Sequence, residues 1–108
     1  MKNKVYTVDE IRNIITPIAK QYHLSHVYLF GSYARGEATE QSDVDLRVGA
    51  ENIRGFFALG GLYADLEEAL NKSLDLVTTE ALLDKNNQRF VDSLARSMKR
   101  EEILLYAE

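Results

Sequence analysis

Asp43 and Asp45 stand one residue apart in the stretch SDVDLRV, residues 42–48. In an extended strand, alternate residues share a face, and at about 3.3 Å per residue their Cα atoms lie about 6.5–7 Å apart. The two carboxylates can therefore converge on one point above a sheet. Without a cation they repel, and one would take up a proton. A divalent cation removes that conflict, and magnesium favours oxygen ligands, usually one or two carboxylates plus substrate phosphates. A third acid, Asp75 in SLDLVT, opposes Leu74 and Leu76 in its own strand pattern. It completes the cluster if its strand neighbours that of the first pair. Three such carboxylates suit a site with two ions about 3.5–4 Å apart and in-line phosphoryl or nucleotidyl transfer. One ion activates the attacking hydroxyl, while the other holds the triphosphate and the leaving pyrophosphate.

Upstream, LFGSYARG supplies what carboxylates lack. Gly31 lets the backbone approach a phosphate closely, and Ser32 offers a hydroxyl and an N–H at the start of a short helical turn. Each piece has an ordinary reading when taken singly. A lone D-x-D is commonly a solvated strand face, Gly-Ser a loop break, and a single Asp75 a surface residue. The joint pattern is more specific, because each piece falls in the structural context its role requires. Arg47 shares the aspartate face, suited to a phosphate or carboxylate partner or to a balancing charge at the rim. Arg35 can reach a phosphate or form a structural ion pair. Tyr33 can touch a nucleotide or simply pack. His23 and His26, beside a connector, read as structural or solvent-facing, and Lys99–Glu102 (KREE) as a solvated face.

The elements that must position these residues follow from periodicity. Thr7 and Glu10 match a capping box, and Val8, Ile11, Ile14, Ile15, Ile18 and Tyr22 follow with helical spacing. Pro17 should kink or split that helix. Val27–Phe30 reads as a short buried strand, and DVDLRVG as the next, with Val44, Leu46 and Val48 on the face opposite the aspartates. After a loop at 52–55, a helix is expected with Phe56, Leu59, Tyr63, Leu66 and Leu70 at helical spacing, and Gly60-Gly61 marking close packing or a local break. SLDLVT forms a third strand. Helical patterning resumes from Thr79 to Met98, with an interruption near Asn86–Asn87. The tail EEILLYAE fits a last helical turn or an edge strand. The expected class is α+β: a small mixed sheet of three or four strands, helices packed on one face, the aspartates on the partly open face.

A length of 108 residues predicts a single domain, 1–108, and the 45% apolar and 28% charged composition is that of an ordinary globular protein. A net charge of −4 with no long basic run argues against a chain whose affinity rests on neutralising many nucleic-acid phosphates. The lack of cysteine removes disulfides and thiolate metal sites. Neither a signal-peptide core nor a membrane span is evident, so a cytoplasmic location is expected. A triphosphate and two ions would occupy most of the open face of so small a domain. The acceptor surface must then come from another molecule, and the negative charge favours a protein over a nucleic-acid end.

Gly31-Ser32, ten residues, then DVD resembles the signature of the polymerase-beta-like nucleotidyltransferase superfamily, with Asp75 where its third carboxylate is expected. The segments LFGSYARG, SDVDLRV, GGLYADLEEAL and LDLVT are similar in particular to the minimal nucleotidyltransferases that act as antitoxins to HEPN-domain toxins. That resemblance runs nearly end to end. It implies the polymerase-beta-like fold and magnesium-dependent transfer of AMP from ATP to a tyrosine of the cognate toxin. By position, Gly31 and Ser32 resemble the phosphate-binding pair, and Asp43 and Asp45 the metal-binding pair. Asp75 resembles the carboxylate that helps hold one of two ions and assists deprotonation of the acceptor. Arg47 stands where relatives carry an aliphatic residue. Two rival readings are an idle antitoxin that works by occlusion, and transfer to a small molecule or RNA end with help from a partner chain.

Overall fold

The structure is a computed structural model and describes residues 4–82 and 101–108. Helix α1 spans Val8–Gln21, with the Thr7–Glu10 capping box formed in both directions. Pro17 does not split it. Pro17 and Asn13, whose carbonyl loses its partner, both lie on the exposed side, so water takes that carbonyl. On the other side Ile11, Ile15 and Ala19 are fully buried and hold the helix together across the proline.

Strand β1 (His26–Phe30) leads directly into the short helix α2 (Gly31–Arg35). Strand β2 (Val44–Val48) follows, then helix α3 (Gly55–Leu70), strand β3 (Leu74–Thr78) and helix α4 (Thr79–Leu82). The chain ends in strand β4 (Ile103–Ala107), which settles the tail as an edge strand. The helical pattern expected to continue to Met98 lies, from residue 83 onward, outside the described residues, as does its Asn86–Asn87 interruption.

The four strands form one mixed sheet in the order β3-β2-β1-β4. β1 is antiparallel to both β2 and β4, and β2 is parallel to β3. The parallel pair is possible because α3 provides the long crossover that such a connection requires. Val27 and Leu29 of β1, Val44, Leu46 and Val48 of β2 and Leu74 of β3 face a core shared with α1 and α3. The alternating burial of β2 leaves Asp45 and Arg47 on the opposite face.

Helix α3 keeps Leu66, Leu70 and, packed against the core, Leu59 of the expected stripe, but turns Phe56 and Tyr63 outward and buries Leu62 instead. Its buried positions are Leu62, Leu66 and Leu70, whereas Phe56 is 91% and Tyr63 38% exposed. Neither glycine breaks it. Gly61 makes room for the Tyr22 hydroxyl, since a Cβ there would lie 3.0 Å from that oxygen, and Gly60 faces open space. The Tyr22 hydroxyl donates to Asp65 at 2.6 Å, tying α1 to α3.

Candidate active site

The parallel register of β2 and β3 places Asp45 directly beside Asp75. Neighbouring strands are about 4.8 Å apart, so these two acids are closer at their backbones than Asp43 and Asp45 are. Asp43 lies one residue before β2 and is exposed. Asp45 is half-buried, and its pKa is pushed up to about 6 by burial first and then by the charges of Asp75 and Asp43. The three acids thus share one electrostatic neighbourhood.

Gly31 closes the site from the β1 side. Its φ is +73°, in the left-handed region, and a Cβ there would fall 2.0 Å from Asp45 Oδ2. Any side chain at this position would collide with the carboxylate, and only glycine takes this φ without cost. The glycine is therefore required for its approach to Asp45. Ser32 follows in the first turn of α2 and is partly exposed. Across the sheet the order is Gly31–Ser32 at the end of β1, Asp45 on β2, and Asp75 on the edge strand β3.

The donor set is all oxygen and fits magnesium, and the raised pKa of Asp45 comes from burial first and then from the charges of Asp75 and Asp43. Among the described residues, however, no three His, Cys, Asp or Glu side chains close into a ready-made metal cage. Asp45 and Asp75 are register partners on adjacent strands, and Asp43 adds its charge from the residue before β2. That suits an ion whose coordination is completed by substrate phosphates and water.

The arginines are engaged by other side chains. Arg35 pairs with Glu37 and with Glu101, and its charge pulls the Asp45 pKa downward while Glu101 pushes it up. Arg47 is largely buried and donates twice to Glu102 through Nη2 (3.0 Å each), once through Nε (3.1 Å), and through Nη1 to Thr79 Oγ1 at 2.7 Å. Its guanidinium also lies 4.4 Å from the Tyr28 ring centroid. Tyr33 is a core residue, 4% exposed. His26 sits between Ser25 and Thr79, 3.1 and 2.7 Å from their hydroxyls, a structural position.

Three residues near the site were not singled out from sequence. Glu101 and Glu102, read there as part of a solvated face, anchor Arg35 and Arg47 from more than 50 positions away. Tyr63 donates to the Leu74 carbonyl at 2.9 Å, one residue before Asp75. The hydroxyl pKa of Tyr63 is raised by burial, then by the charges of Glu67, Asp75 and Asp43. No local pattern signals any of the three, because each depends on strand order.

The chain is similar to known proteins in sequence and fold. The family model described as polymerase beta, nucleotidyltransferase, matches residues 13–106. The protein adenylyltransferase MntA of Thermococcus cleftensis is 38% identical over 80 residues, 70% of this chain and 81% of that protein. A solved toxin–antitoxin structure with AMP-PNP contains a chain 26% identical, with a TM-score of 0.68 over 90% of this chain and 73% of that one. The complex of a tri-AMPylated Shewanella oneidensis HEPN toxin with its MNT antitoxin shares the fold, with a TM-score of 0.64 at 22% identity, covering 94% of this chain and 74% of that one. With the motif residues brought together by the sheet and the family pattern spanning nearly the whole chain, this protein belongs to the polymerase beta nucleotidyltransferase family.

Proposed function

We propose that this protein transfers AMP from ATP to a tyrosine hydroxyl of a HEPN-domain toxin and is thereby its antitoxin, acting in the cytoplasm. Gly31 and Ser32 would hold the triphosphate, and Asp43, Asp45 and Asp75 would hold two magnesium ions. Magnesium, when bound, offsets the clustered negative charge and draws electron density from the phosphoryl group under attack. Asp75 takes the proton of the acceptor hydroxyl. The tyrosine oxygen bonds to the α-phosphorus, the bond from that phosphorus to the bridging oxygen breaks, and pyrophosphate leaves.

The observation that carries this reading is the Asp45–Asp75 register, with Asp43 adding its charge and Gly31 pressed against Asp45. Support for a protein acceptor comes from the adenylyltransferase relative and from the toxin–antitoxin complex with AMP-PNP. Labelled ATP, magnesium and a cognate HEPN-domain toxin should yield label on a toxin tyrosine. Asp43→Asn with Asp45→Asn should abolish that label while the two proteins still bind. Absence of transfer from the parent protein, with both partners folded and bound to each other, would leave occlusion as the better account.

A further inference from the structure

We propose that the outer stripe of α3 and the groove beside β3 form the docking surface for the acceptor protein, which lays its tyrosine-bearing segment along them. This rests on the transfer reading above and assigns the surface that reading leaves open. Phe56, Gly60, Tyr63 and Glu67 recur at i, i+4, i+7 and i+11 and so share one side of the helix. Phe56 is 91% exposed and its neighbour Phe57 99% exposed. Two aromatic rings left wholly in water at one helix end exceed the scattered apolar exposure of an ordinary surface. Phe56, Gly60 and Tyr63 line an open groove of about 310 Å³ with Leu59, Leu76 and Thr78.

Three features commit the groove to the acceptor. First, it reaches the strand edge beside the acidic cluster: Leu76 and Thr78 line it from the core side of β3, Asp75 lies on the other side of that edge strand, and Tyr63 donates to the carbonyl of Leu74, one residue before Asp75. Second, Gly31 and Ser32 lie at the β1 side of the acids, whereas β3 is the sheet edge. In-line displacement puts the attacking oxygen opposite the leaving pyrophosphate. A polyphosphate on the Gly31 side therefore leaves the β3 side for the acceptor. Third, the stripe runs from apolar at Phe56 to acidic at Glu67, so its complement is a segment with an apolar anchor and basic residues near the tyrosine.

The test is Phe56→Ser with Phe57→Ser, measured against the HEPN-domain toxin that the parent protein binds. Both rings are solvent-exposed, so the fold should persist, and an unchanged far-ultraviolet spectrum and melting temperature will confirm that. Loss of the two exposed aromatic rings at the start of α3 should weaken binding of the toxin, measured calorimetrically without nucleotide, by about tenfold or more. The KM for the toxin should rise by a similar factor while that for ATP stays within about twofold. A smaller loss of toxin binding overturns the proposal. So does a rise in the ATP KM, which would make the groove a nucleobase site, or a shift from dimer to monomer with toxin binding intact. Failure of the transfer reading shows separately, as a parent protein that binds the toxin and transfers nothing.

Discussion

At the scale of single residues, the site is defined by an unfavourable arrangement kept in place by its surroundings. Asp45 is half-buried between two other acids, and its pKa of about 6 stands above the ordinary 3.8. A carboxylate whose folded pKa is raised binds its proton more tightly in the folded state. Its penalty is absent below about pH 4, grows as pH rises through about 6 and is constant above that. In metal-free protein, Asp45→Asn should therefore stabilise the fold by about 1 kcal/mol at pH 7.5, a figure discounted for partial solvent access. The gain should fade towards pH 4. Urea unfolding at several pH values checks this, and an equal gain at both ends would show that Asp45 carries no such strain. On the proposed function, a bound magnesium ion would offset the part of this penalty that comes from Asp75 and Asp43.

At the scale of elements, two contacts hold the site in place. The first is the α1–α3 contact, where Gly61 faces Tyr22 and Gly60 faces open space. Gly60→Ala should stabilise α3 by up to about 1 kcal/mol through helix propensity. Gly61→Ala should gain less or nothing, because its methyl would press on the Tyr22 hydroxyl and its bond to Asp65. Equal melting temperatures for the two variants would refute that distinction. The second is the link from β2 to the residue preceding β4, made by Arg47 and Glu102, whose side chains are 14% and 16% exposed. Glu102→Ala leaves a largely buried guanidinium short of acceptors and should cost about 2 kcal/mol. Replacing both partners, Arg47→Met with Glu102→Leu, should recover most of that loss. A double-mutant cycle in denaturant measures the coupling, and additive single effects would show that the pair is not a unit.

At the scale of the whole molecule, a four-stranded sheet carries its core on one face and its chemistry on the other. Among the described residues no helix is long and apolar enough to cross a membrane. Ligand binding to the acidic face is linked to global stability, so magnesium with a non-hydrolysable ATP analogue should raise the melting temperature. A concentration a hundred times the Kd contributes about 2.7 kcal/mol. For a chain of this size, each kcal/mol corresponds to roughly 4–8 °C. Calorimetry with and without the ligands checks this, and the shift should be lost in Asp43→Asn with Asp45→Asn. Sequence alone determined the strand carrying Asp45, the Gly31-Ser32 turn, the capped first helix and the third strand with Asp75, although Asp43, expected on that second strand, lies one residue before it. Each is written in local spacing, in periods of two or 3.6 residues. Only the tertiary structure decided that β3 lies parallel beside β2 with Asp45 against Asp75, that Gly31 is needed to clear Asp45, and that Glu101 and Glu102 reach the arginines. It also decided that Phe56 and Tyr63 face outward while Leu62 turns in. These outcomes depend on strand order and on which side of a helix meets the core. Such long-range choices are made by burial summed over the whole chain, and they leave no mark on neighbouring residues.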